Sequence, residues 1–209
     1  IDRIHGISPD RVSELNLATS SIRTSLLPRT FSVFFNPNES DLLSDKKIRT
    51  ALNMAINKQE IVNTVLKGYG KVIETPFPFD EDQPEALYNQ EKAREVLLQS
   101  KYLKNSSSTI DITLSTTNTE EMKKVAEMIK ADWEKIGVNT TLALYEPADL
   151  TQNVIKDRDF QALLFGSITS SPADLYAFWH SSQRTYPGLN ISNYVSKKLD
   201  SNLETIIDI

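Results

Sequence analysis

The chain has 209 residues, 39% hydrophobic and 24% charged, enough for one substantial core or two small ones. Its net charge of −5, from 28 acidic and 23 basic residues with no basic block, argues against a nucleic-acid partner, whose phosphates demand positive charge. It has no cysteine, hence no disulfide or thiolate metal site, and no apolar run near the ~20 residues of a membrane span. It opens at Ile1 rather than Met, so the lack of a leader-like segment carries no information.

Residues 1–30 read as a lead-in. Ser8 is placed to cap a short helix with Pro9 in its first turn and Val12 and Leu15 on its apolar side. A Ser/Thr-rich stretch follows, broken by Pro28. FSVFF at 31–35 predicts a strand, and 37–44 a turn. The clearest helical writing lies in 45–70. Ser44 is placed to cap a first helix in which Ile48, Ala51, Leu52, Ala55 and Ile56 recur at three- and four-residue steps. Asn57 and Glu60 have the spacing of a reciprocal capping box for a second helix. That helix carries Ile61, Val62, Val65 and Leu66 on one face, and Gly68 can close it. TPFPF at 75–79 is extended, and 80–84 is an acidic loop. Asn89 caps a helix through Leu98, with Ala93, Val96 and Leu97 inward.

After a loop at 104–108 the pattern becomes regular. It gives a strand at 110–115, a long helix at 119–136 stopped by Gly137, a strand at 138–145 and a helix at 147–156. The nearly all-apolar run 160–165 is expected to be a central buried strand. Such alternation is the writing of an α/β sheet with helical crossovers.

In open α/β sheets ligands gather beyond the carboxyl ends of strands. Here the central strand ends at Gly166, which lets a backbone approach closely, and Ser167, Thr169, Ser170 and Ser171 supply hydroxyls. Pro172 opens a helix with Ser171 as its cap. The same serines can equally cap and turn and do nothing more. His5 and His180 have no second His or Cys at ligand spacing, so a protein-made zinc site is not expected. His180, Ser181 and Ser182 splay apart on a helix. No Gly-x-Ser-x-Gly elbow is present and no Asp is placed to orient the imidazole, which argues against a hydrolase.

Several blocks carry a resemblance. RTALNMAINKQEI at 49–61, followed by Gly68, is similar to the "R-x-A-l-x-x-A-I-[DN]-[KR]-x-x-I … G" signature of family 5 solute-binding proteins, the oligopeptide, dipeptide and nickel receptors of ABC importers. NQEKAREVL at 89–97 resembles that family's "n.ekAkelL", and 126–138 resembles "a..iq..l..iGi". DFQALLFG at 159–166 resembles "dfda.l.gW", and PADLY at 172–176 resembles "DPd.yl". WHSSQ at 179–183 with GLNISNY at 188–194 resembles "lwhssq…g.N.s.y". The blocks come in the family's order and span most of 31–209.

The resemblance implies an α/β, type II periplasmic-binding-protein-like lobe, a mixed sheet flanked by helices over 31–209, with 1–30 as interlobe segment. It implies the second lobe of a two-lobe receptor, the first lobe and the C-terminal return being absent. The implied role is the extracytoplasmic, membrane-anchored substrate-binding component of an ABC importer, monomeric, with permease subunits as partners, no cofactor and no chemistry. A transport-independent chaperone or signalling receptor is the alternative. The implied ligand is a peptide or similar small solute, and the residues themselves do not separate a peptide from a sugar, a metal chelate or an opine. Ligand contacts are expected from Gly166, Ser167, Thr169, Ser170, Ser171, Asp174, His180, Gln183 and Asn190, with Asn36 near the interlobe crossing. Peptide-binding members place an Asp shortly after the Gly-Trp, where it can pair with the ligand's amino terminus. This chain has Gly166-Ser167 and a neutral Ser170 there, which implies little preference for a free amine. Asp174 is either the pairing acid or a first-turn helix acid.

Overall fold

Among the described residues, four strands form one mixed sheet. They are β1 (Arg29–Phe35), β2 (Ile110–Thr117), β3 (Val138–Tyr145) and β4 (Ala162–Ile168), in the spatial order β1-β4-β2-β3. The computed structural model describes residues 7, 9–12, 14–15, 21–76, 87–103, 109–169, 171 and 173–207. Expectations for His5, Ser8, the extended 77–79, the acidic loop, the 104–108 loop, Ser170 and Pro172 lie outside them. β1 is antiparallel to β4, and β2 is parallel to both β3 and β4. The apolar run expected to be central is central: β4 lies between β1 and β2. Successive side chains of a strand point to opposite faces. Ala162 and Leu164 therefore enter the larger core, and Leu163 enters the smaller one on the other face.

The helices are α1 (Pro9–Val12), α2 (Asp41–Ser44), α3 (Lys46–Ala55), α4 (Lys58–Val65), α5 (Gln90–Leu98), α6 (Glu120–Lys135), α7 (Pro147–Asp149), α8 (Asp174–Trp179) and α9 (Lys197–Ile207). α3, α5 and α6 bring Ile48, Leu52, Leu97, Ile129 and Trp133 to the larger core. Leu150 and Val154 face the smaller one. Three local expectations change. Ser44 ends the short helix α2, where a turn was expected, and the cap of α3 is Asp45, whose carboxylate accepts from the Lys47 N–H. The helix read at 147–156 is α7 followed by a π-helical turn, Leu150–Ile155, beyond which Arg158 takes a positive φ of 61°. The capping box is only half made. Asn57 Oδ1 accepts from Glu60 N at 3.1 Å, but the Glu60 carboxylate accepts from Thr64.

The Asn57 N–H goes instead to Asp132 Oδ2 at 2.9 Å. Asp132 is buried on α6 and also accepts from Gln90 Nε2 at the start of α5 and from Lys135 Nζ. Its neighbour Trp133, fully buried, donates its indole N–H to the Leu52 carbonyl of α3 at 3.0 Å. α6 thus ties down the α3–α4 corner through a carboxylate and an indole on adjacent residues. The other caps follow the sequence: Asn89 accepts from Lys92 N, and Gly137 closes α6 with a φ of 92°.

Replacing Asp132 by Ala leaves the Asn57 N–H unpaired, and the expected loss is about 1–3 kcal/mol of unfolding free energy, read from denaturant midpoints. A change below about 0.5 kcal/mol would mean that water replaces the carboxylate there. Asp45 carries a pH dependence. Burial pushes its carboxyl up, but the Lys47 N–H, the Ser100 hydroxyl, the Lys101 N–H and the Lys101 charge outweigh it, so it titrates below its ordinary value of 3.8. A depressed folded-state pKa gives stability that is present above the unfolded value and lost as pH falls through the folded one. Relative to Asp45→Asn, the wild-type chain is therefore more stable at neutral pH. That margin should shrink as pH drops below 3.8, in parallel unfolding curves.

Candidate functional site

The carboxyl ends of β2 and β4 and the start of β1 meet at one end of the sheet, because β1 runs against β4. Arg29 lies opposite Ile168, Thr30 opposite Ser167 and Phe31 opposite Gly166. A cleft of about 550 Å³ runs from there along β1. Its walls come from 25–35, from α4 and the segment 69–76, from the start of α6, and from Ser167, Thr169, Phe178 and Trp179. Apolar groups dominate the floor: Val33, Ile61, Val62, Met122, Val125 and Leu164.

The 69–76 wall is fastened to α4. Lys58 Nζ binds both carboxylate oxygens of Glu74, at 2.7 and 2.8 Å, and the Glu74 side chain is only 7% exposed. This pair brings a cation and an anion into the cleft together and adds no net charge of its own. Arg29, at the rim, stands with its guanidinium carbon 5.2 Å from the centroid of the Phe31 ring, within cation–π range.

The structure uses the expected site residues in different ways. Ser167 and Thr169 line the cleft. The Ser167 hydroxyl pairs with Thr30 Oγ1 across the strands at 3.0 Å, and Thr169, buried, donates its N–H to the Pro28 carbonyl. At Gly166 the close approach is made by a ring within the sheet, since a Cβ would meet Phe31 Cε1 at 3.0 Å. The helix after the loop is not opened by a serine cap. Asp174 accepts the Ser171 N–H at 2.8 Å, so the carboxylate closes the turn from within the helix.

His180 is buried and faces α9. Its Nδ1 accepts from Ser182 N and lies 2.8 Å from the Ser182 hydroxyl, while its Nε2 lies 3.4 Å from Glu204 Oε1 and 4.0 Å from Asp200 Oδ1. Its ring stacks on Tyr176 at 4.2 Å. Acids do therefore stand near this imidazole, supplied by α9. The Ser181 N–H, bonded to Asp200, holds that carboxylate below its ordinary value.

Half-buried Gln183 and fully buried Asn190 form a staple beside it. Asn190 N donates to the Gln183 carbonyl, and Asn190 Nδ2 is within reach of the carbonyls of Trp179, His180 and Tyr194, while its Oδ1 accepts from Tyr194 N. Gly188 is required against Gln183, whose carbonyl oxygen would lie 2.2 Å from any Cβ. Asn36, at the other end of the sheet, is likewise fully buried. It donates to the Arg158 carbonyl and accepts from Asn38 N and Asn193 Nδ2. Asn36 and Asn190 direct their amides into the protein rather than into the cleft. Ser170 lies outside the described residues.

Sequence reading missed Arg29, Phe31, Phe178, Trp179 and the Lys58–Glu74 pair as cleft residues. The strand begins at Arg29, inside the segment assigned to the lead-in. The Phe31–Gly166 pairing depends on a register between segments far apart in sequence.

The sheet and its flanking helices have the fold of type II periplasmic binding proteins. The chain belongs to the bacterial extracellular solute-binding proteins of family 5, whose model matches residues 1–187. It is 29% identical over 186 residues to the oligopeptide-binding protein AppA of Bacillus subtilis, covering 80% of this chain and 34% of that one. It is 27% identical over 172 residues to the dipeptide-binding protein of Escherichia coli, covering 78% and 32%. The structure of AppA from Bacillus subtilis in complex with a nonapeptide superposes with a TM-score of 0.80 at 25% identity, covering 97% of this chain and 44% of that one. NikZ from Campylobacter jejuni in complex with Ni(L-His) shares the fold with a TM-score of 0.79 at 20% identity, covering 95% and 43%. The chain spans about a third of the length of these curated relatives. Members of the family are binding proteins rather than enzymes, and its setting is extracellular or periplasmic.

Asn190→Ala should cost on the order of 3 kcal/mol, since buried carbonyls lose their donor. Asn190→Asp should do no better, because an ionised carboxylate donates nothing. Both are read by chemical denaturation. A variant of unchanged stability would show that the staple is dispensable.

Proposed function

We propose that this chain forms one lobe of the substrate-binding component of an ABC importer and takes peptides or similar small solutes into the end cleft. The single observation that carries the reading is the cleft itself. It has the size of a small-molecule site, runs along β1 to the carboxyl end of β4, and combines an apolar floor with a polar rim. The relatives named for oligopeptides and dipeptides favour peptides over other solutes. The cleft is one-sided, and a second lobe closing on it as a hinge would complete it. The intact receptor works outside the cytoplasm, anchored to the membrane, as a monomer that delivers ligand to permease subunits. It binds and releases without chemistry. Its ligand contacts come from Ser167, Thr169 and the neighbouring Ser170 and Ser171, with Phe31, Phe178 and Trp179 supplying apolar area.

Half a cleft supplies half the contacts and does not exclude water. The isolated chain should therefore bind short peptides weakly or not at all by calorimetry. The intact receptor should bind them and become more compact in small-angle scattering. Affinity of about micromolar or better for the isolated chain would place the whole site within it and remove the need for a second lobe.

A further inference from the structure

We propose that Arg29 reads a carboxylate of the ligand, so that this end of the cleft selects an anionic group over a neutral or cationic one; the inference rests on the ligand occupying the cleft as proposed above. Arg29 is the first residue of β1 and is exposed on the cleft wall. Its position is built by two successive contacts. Gly166, lacking a Cβ, lets the Phe31 ring lie against β4, and the ring holds the guanidinium 5.2 Å from its centroid. A planar guanidinium ordered in this way forms a two-point bond to a carboxylate with less loss of side-chain freedom than a lysine.

The charges around it point the same way. Among the described residues, Arg29 has no carboxylate within ion-pair distance and its side chain makes no hydrogen bond. Lys58, by contrast, is held by Glu74. Asp174, the acid nearest in sequence to the strand-end loop, is engaged by the Ser171 N–H. The loop therefore offers an ammonium group no fixed anion from that residue, while β1 offers a carboxylate a ready cation. Two other charged groups line the cleft, Lys71 from the 69–76 wall and Glu121 from the first turn of α6. Lys71 is the competing candidate for the same task.

The test uses the intact receptor, wild type and Arg29→Gln, Arg29→Lys and Lys71→Gln, titrated by calorimetry with three N-acetylated tetra-alanine probes. One carries a free C-terminal carboxylate, one a C-terminal amide, and one the amide with Glu replacing an internal Ala. Wild type should bind at least one carboxylate probe about ten- to a hundredfold tighter than the neutral amide. Which probe gains identifies the carboxylate as terminal or side-chain. Arg29→Gln should abolish the gain and leave the neutral probe within about twofold of its wild-type affinity. Arg29→Lys should recover part of the gain, and thermal midpoints confirm that the variants are folded. Equal binding of all three probes by wild type overturns the inference alone, as does a preference that survives Arg29→Gln and falls with Lys71→Gln. Binding of none of them overturns the peptide reading of the cleft, and this inference with it.

Discussion

The carboxylate of Asp132 is the joint on which the helical side of the molecule depends. It sits inside the protein, where an unpaired charge would be costly, and it is compensated by three donors from three places: the backbone of Asn57, the side chain of Gln90 and the ammonium of Lys135. One of these is an N–H at the start of α4 that Glu60, bonded to Thr64, leaves to Asp132. With Trp133 bonded to the Leu52 carbonyl one residue away, α6 fixes both helices of the corner at once. That corner sets the direction in which α4 leaves and hence where the 69–76 wall stands, since Lys58 in the first turn of α4 holds Glu74.

The cleft follows from this frame and from the antiparallel pairing of β1 with β4. Reversing one strand brings the start of β1 to the same end of the sheet as the finish of β4, so that Arg29, Phe31, Gly166 and Ser167 become neighbours. Two polar groups of the strand-end loop are then occupied within the protein. Ser167 pairs with Thr30 and Asp174 with the Ser171 N–H. Beside its hydroxyls, the cleft presents a ligand with an apolar floor, aromatic edges and a guanidinium over a ring. Polar satisfaction inside the lobe thus decides which groups remain free for recognition.

The polar residues beyond α8 show the same economy. Asn190 gathers carbonyls from the end of α8 and from the turn at Tyr194, and Asp200 of α9 accepts the Ser181 N–H beside them. A buried amide with every donor and acceptor occupied fixes a loop that has little apolar surface to hold it.

The sequence by itself determined what is local. Apolar steps of three and four marked α3 to α6, alternation marked the strands, and Asn57, Asn89 and Gly137 announced helix ends, because each of these signals is written and satisfied within a few residues. The run that became β4 was recognisable as central because a strand buried on both faces has no polar side to show. The segments resembling family 5 receptors pointed to the family. Only the tertiary structure decided the fate of the polar groups. Asn36 and Asn190 have the chemistry of ligand contacts, yet their amides are consumed by carbonyls such as that of Arg158, 122 residues from Asn36. Asn57 had a local partner waiting in Glu60, and its N–H went to Asp132, 75 residues away. An amide or a carboxylate takes whichever partner packing brings to it, and strand register and helix placement supply that partner from parts of the chain that no local pattern connects.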